Sequence, residues 1–68
     1  MIVAKITQEQ ADSLKGTEFI EGNYFNPIQD ANDNWIISIE EIENNVNPNF
    51  DWLKELEMII FVPKQYEV

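Results

Sequence analysis

The feature that most narrows the fold of this 68-residue chain is the absence of cysteine. Domains this small often rely on disulfides or thiolate-bound metal. Neither is open here, so the chain must hold itself by packing or through a partner. The length supports one domain, residues 1–68. An apolar fraction of 44% is ordinary for a globular chain and argues against disorder. Isoleucine and the aromatics supply much of that fraction, and such large side chains suit a thin core.

Charge removes further possibilities. Thirteen acidic residues face four cations, all lysine, for a net charge of −9. Binding to nucleic acid by phosphate neutralisation needs clustered Lys or Arg, so direct nucleic-acid binding is not expected. Anionic membrane surfaces are disfavoured on the same ground. The expected partner is another protein, preferably a basic one, or a second copy of the chain. The longest apolar run, Met58 to Val62, is far shorter than the roughly 20 residues of a membrane span. No basic stretch followed by a long apolar run opens the chain, so no signal peptide is expected. The expected location is the cytoplasm of a host cell or a virion.

The chain reads as β-α-β-β-α-α-β. Ile2 to Ile6 predicts a strand. Thr7 and Gln10 have the spacing of a capping box. The helix they open should end near Lys15, with Gly16 as its left-handed stop, and it has only Ala11 and Leu14 to bury. Thr17 to Glu21 is a weaker strand candidate left out of this order, and Tyr24 to Ala31 reads as extended, placed by Pro27 at an edge or at the start of pairing. Asn34 to Ile39 is the clearest strand. A two-residue turn at Asn32-Asp33 would set Asp30 opposite Trp35 and Ile28 opposite Ile37. Trp35, Ile37, Ile39 and Ile28 would then share the core face.

Ser38 and Glu41 form a second capping box, opening a short helix from Ile39 to Asn44. Asn47-Pro48 starts another helix, in which Phe50, Leu53 and Leu56 recur every three residues. Met58 to Val62 reads as a strand covered on both faces or lying mid-sheet. Lys64 to Val68 is expected to fray. The fold class expected is α+β: a small, mostly antiparallel sheet with short helices on one face.

The catalytic inventory is thin. Without His or Cys, the commonest general base and the strongest nucleophile are missing. Ser38 has a capping role, and Ser13 has no base in sequence reach. The chain's two glycines, Gly16 and Gly22, make no phosphate loop. An enzyme is therefore not expected, nor is a cofactor.

The segment Asp30 to Glu41 resembles a calcium loop of the EF-hand type. Asp30, Asn32 and Asn34 match its first three side-chain positions, and Glu41 falls where a bidentate acid belongs. The resemblance implies these four as metal ligands. Against it, Trp35 stands where the family places Gly, and Tyr24 to Gln29 reads as extended where a helix should enter. A hairpin turn at Asp30 to Asn34 followed by the Ser38–Glu41 capping box accounts for the same residues without these departures and is the favoured reading.

On the hairpin's outer side, Phe25 and Ile36 lie diagonally across the pairing. Left uncovered, they would make an apolar contact patch, with Glu40 and Glu43 as candidate orienting charges. The string Tyr24-Phe25-Asn26-Pro27-Ile28-Gln29-Asp30, followed by Asn34-Trp35-Ile36-Ile37-Ser38, is similar to short proteins of bacteriophages and prophages of Bacteroides-type bacteria. Phe50-Asp51-Trp52-Leu53 fits the same likeness. The resemblance implies a phage structural or accessory protein and carries no activity with it. The leading expectation is a non-enzymatic acidic interaction module. A nucleic-acid-mimicking inhibitor of a basic protein and a calcium-stabilised module are the alternatives.

Overall fold

A computed structural model describes residues 1–64. The elements are β1 (Ile2–Ile6), α1 (Gln8–Leu14), β2 (Glu18–Ile20), β3 (Asn23–Tyr24), β4 (Ile28–Gln29), β5 (Trp35–Ser38), α2 (Ile39–Glu43), a 3₁₀ helix (Pro48–Glu55) and β6 (Glu57–Ile60). Four strands form one sheet in the order β4-β5-β1-β6, and every neighbouring pair is antiparallel. β2 and β3 form a separate hairpin. The α+β class is as expected.

Local signals act where the sequence places them. Thr7 Oγ1 accepts the Gln10 amide at 3.1 Å, and Gln10 Oε1 accepts the Thr7 amide at 2.8 Å. Two donors that the helix start would otherwise leave unpaired are thereby satisfied. α1 buries Ala11 and Leu14, and Gly16 turns the chain at φ 77°. Asn47 caps the later helix and Pro48 occupies its first position. The three-residue spacing of Phe50, Leu53 and Leu56 matches the 3.0-residue turn of a 3₁₀ helix, not an α-helix. Phe50 leaves helical geometry at φ −117°, which divides that helix.

The core lies between the sheet and the helices. Ala4 and Ile6 of β1 and Ile37 of β5 meet Ala11, Leu14, Phe25 and Leu53. Trp35 and Ile39 pack against this cluster, so the Trp-bearing side of β5 does face the helices. An aromatic run extends it, from Phe19 to Phe25 at 5.4 Å, on to Phe50 at 5.6 Å and to Trp52 at 5.9 Å. Lys15 lies 4.8 Å from the Trp35 ring centre, a cation–π contact that shields its outer side.

Three expectations require correction. The extended stretch Tyr24 to Ala31 is not one strand. The Phe25 amide bonds the Thr17 carbonyl, the Asn26 amide bonds Glu41, and Pro27 has no amide to offer, so the stretch divides into β3 and β4.

The hairpin register is one residue away from that expected. Ile28 pairs with Ile36 and Gln29 with Trp35. The loop holds Ala31, Asn32 and Asp33, closed by Asp30 N–H to the Asn34 carbonyl and Asp33 N–H to the Asp30 carbonyl. Asp33 takes the left-handed conformation at φ 63°, as three-residue hairpin loops require. The Asp30 carboxylate decides this, accepting the Asn32 and Asn34 amides at 2.9 Å each and Asn34 Nδ2 at 3.3 Å. A one-residue slip exchanges the faces. Ile28 therefore joins Ile36, away from the Trp35 face.

The apolar run at the C-terminal end is neither central nor covered on both sides. β6 is an edge strand, and β1 and β5 hold the centre. Met58 and Ile60 are 47% and 67% exposed. Beyond Ile60 the chain adds the Phe61–Met1 and Ala31–Val62 bonds and runs on to Pro63, so over Glu57–Ile60 β6 has β1 as its one strand neighbour.

Candidate functional site

The face of the sheet turned away from the helices carries Val3, Lys5, Ile28, Ile36 and Ser38, which the registers place side by side. This face is curled. Phe61 pairs with Met1 at one end of β1, whereas the β4–β5 loop lies beyond the other end. Yet Ala31 N–H donates to the Val62 carbonyl at 2.8 Å, and Lys64 Nζ sits 3.5 Å from Asp33. The segment after β6 thus reaches the residues after β4, and the sheet bends toward a partly closed barrel.

The bend leaves a groove of about 400 Å³. Its floor is Val3 and Ile36, its walls include Ile28, Tyr24 and Phe61, and Glu40 stands at its polar side. Ile28 is 41% exposed, and Tyr24 and Met1 are more so, while Val3 and Ile36 are buried. The groove offers apolar contact at its base and a carboxylate at its margin, the usual make-up of a side-chain pocket.

The candidate contact residues separate. Ile36 and Glu40 both line the groove. The exposed Phe25–Ile36 patch does not exist: Phe25 is 4% and Ile36 1% exposed. The break at Asn26-Pro27 turns Phe25 into the aromatic run, so no strand carries it to the outer side. Glu43 is exposed at the end of α2 and does not line the groove.

The four residues of the calcium-loop resemblance have structural work. Asp30, Asn32 and Asn34 build the hairpin turn. Burial pushes the Asp30 carboxyl up, but the Asn34 and Asn32 amides, the Asn34 side chain and the Lys5 charge together outweigh it and hold the carboxyl below its ordinary value of 3.8. Glu41, also buried, accepts the Ser38 amide and hydroxyl on Oε2 at 2.9 Å each and the Asn26 amide on Oε1. One side chain therefore caps α2 and anchors the loop between β3 and β4. The element that leads into Asp30 is the strand β4, not a helix, and among the described residues no three acidic side chains gather as a metal site.

Sequence reasoning missed Val3, Tyr24, Ile28 and Phe61 as groove residues, because they meet only through the slipped register and the curl. It also missed the exposed pair on β6. Within Glu57–Ile60 only Glu57 is polar, and a short apolar run reads the same at a centre or an edge. No helix of the described residues is long and apolar enough to cross a membrane. No protein family, curated protein or solved structure matches the chain.

Proposed function

We propose that this chain is a non-enzymatic, acidic protein-interaction module whose contact surface is the groove over Val3 and Ile36. The observation that carries the reading is the groove itself, an apolar floor opened by the sheet's curl with Glu40 at its margin. The net charge of −9 selects a basic partner and steers its approach. The lack of His and Cys supports a binding role over a catalytic one. So does the use of the Asp30 and Glu41 carboxylates to hold backbone amides. The likeness to short phage proteins supports a structural or accessory role, in the cytoplasm of a host cell or in a virion.

Affinity selection of a random peptide library on the immobilised protein tests this. Enriched peptides are expected to join a large apolar residue to Lys or Arg and to lose at least about tenfold in affinity for Ile28→Asp, a loss on the order of 1.4 kcal/mol. Enrichment of acidic peptides, or a selection in which no enriched peptide loses affinity for Ile28→Asp, overturns the assignment of the groove.

A nucleic-acid mimic that blocks a basic protein is the second reading, and the net charge is its motive. It stands second because the exposed carboxylates lie on many elements, from Glu9 and Asp12 of α1 through Glu18 and Glu21 of the β2–β3 hairpin to Glu57 of β6. A calcium-stabilised module ranks below both, since its donors Asp30 and Glu41 already accept hydrogen bonds on both carboxylate oxygens.

A further inference from the structure

We propose that the outer edge of β6 takes up, by antiparallel strand addition, an extended segment of a basic partner whose apolar residues alternate and are followed by Lys or Arg. This surface is separate from the groove. Phe61 N–H donates to the Met1 carbonyl, so residues 61 and 1 are a hydrogen-bonded pair. Antiparallel ladders alternate, and the register then makes Ile59 with Val3 and Glu57 with Lys5 the next such pairs. The N–H and C=O of Met58 and Ile60 therefore point away from β1. Among the described residues they have no other backbone partner.

Natural edge strands are usually blunted by Lys, Pro, a bulge or short length. Glu57–Ile60 contains neither Lys nor Pro and pairs with β1 without a register shift. Its exposed side chains, Met58 and Ile60, continue an apolar strip on the same face through Ile2, which lies opposite Ile60. Outward hydrogen-bonding groups and an apolar strip on one four-residue segment are the two requirements for strand addition.

Charge identifies the occupant. Glu57 is exposed and makes no ion pair with Lys5 opposite it, the described ion pairs being Lys15–Asp12 and Lys64–Asp33. Self-pairing would bring two chains of charge −9 together. An incoming antiparallel strand places residues opposite Ile60, Ile59, Met58 and Glu57 in turn. The matching pattern is apolar, any, apolar, cation.

The test uses the intact chain and the blocked peptide Lys-Val-Thr-Val-Lys-Lys, followed by amide exchange in NMR spectra. With peptide at ten times its Kd, exchange at Met58 and Ile60 is expected to slow roughly tenfold. Ile60→Pro removes the outward N–H and the exposed Ile60 side chain but no hydrogen bond to β1, so it should abolish this protection while leaving the Ile59 amide protected and the melting midpoint within a few degrees. A peptide of the same composition with adjacent valines should bind at least several-fold more weakly, and Glu57→Gln should weaken binding and flatten its salt dependence. Ile28→Asp should leave edge binding intact, so failure of the groove assignment remains distinguishable. The proposal is overturned if peptide protects groove residues instead, if Ile60→Pro binds as well as the parent, or if Met58 and Ile60 become protected at high protein concentration without peptide as the mass doubles.

Discussion

β4 and β6 are the two outer strands of the same sheet, and they are finished differently. β4 is two residues long, follows Pro27, and leads into a turn locked by the Asp30 carboxylate. The next available amide, that of Ala31, is taken by Val62. β6 is four residues long, carries no proline or lysine, and leaves Met58 and Ile60 exposed. An edge strand invites pairing unless something prevents it. The Ala31–Val62 bond closes the β4 side and occupies the outer rail of the β6 side only beyond Ile60, so Met58 and Ile60 alone keep their outward groups open.

The largest expected effect lies on the guarded side. Ile36 is 1% exposed on β5, next to β4. Ile36→Ala should cost about 3 kcal/mol in chemical denaturation, from lost burial and an incompletely collapsed cavity. A loss below about 1 kcal/mol would mean that the groove floor is already loose.

The next effect belongs to the lock itself. Asp30→Ala removes the acceptor of three hydrogen bonds. It should lower the melting midpoint by roughly 8 °C. The pH dependence has a definite sign. A carboxyl held below its ordinary value stabilises the fold in its charged form, so its contribution is complete above that value and lost on acidification. The midpoint difference between the parent and Asp30→Asn should be full at neutral pH and should shrink as pH falls through and below 3.8. A difference that is flat down to pH 2, measured by calorimetry on both proteins, would show that the charge is not what holds the turn (about two pH units below the ordinary carboxyl range).

Glu41 sharpens the comparison from within, because it joins the second capping box to the β3–β4 loop. Thr7→Ala should cost about 1 kcal/mol, the ordinary worth of an N-cap. Ser38→Ala should cost more, since the Ser38 hydroxyl also steadies the buried Glu41 that holds Asn26. Equal losses for the two variants would detach the Asn26 contact from the cap.

The smallest effect is expected on the open edge. Ile60→Lys should change stability by no more than about 0.5 kcal/mol. It should nevertheless suppress any pairing through β6, as edge lysines do. A large destabilisation would show that Ile60 is packed in a way its exposure hides.

What the residues reveal in advance follows the range of the interaction. Thr7 with Gln10 and Ser38 with Glu41 act across three positions, so both helix starts are legible. Gly16 and Pro48 are equally local. The hairpin register depends on Asp30 reaching Asn34 with its side chain, and the tight turn at Asn32-Asp33 reads as well on paper. That one slip moves Ile28 to the other face and creates a groove wall. Glu41 reaching Asn26 fifteen positions away is beyond any local pattern, and with it goes the inward turn of Phe25. The strand at Met58 is legible as a strand. Its place at the edge depends on how many neighbours the topology supplies, which no short apolar run records. Residues 65–68, in the tail expected to fray, lie outside the described residues.

The central claim, one edge closed and one open, is tested most directly by amide hydrogen exchange on the free protein at low concentration. Slow exchange is expected at Ala31, Asn34, Ile59 and Phe61, with Met58 and Ile60 exchanging at nearly the rate of an unfolded chain. Met58 and Ile60 exchanging as slowly as Ile59 in a monomeric sample would contradict it.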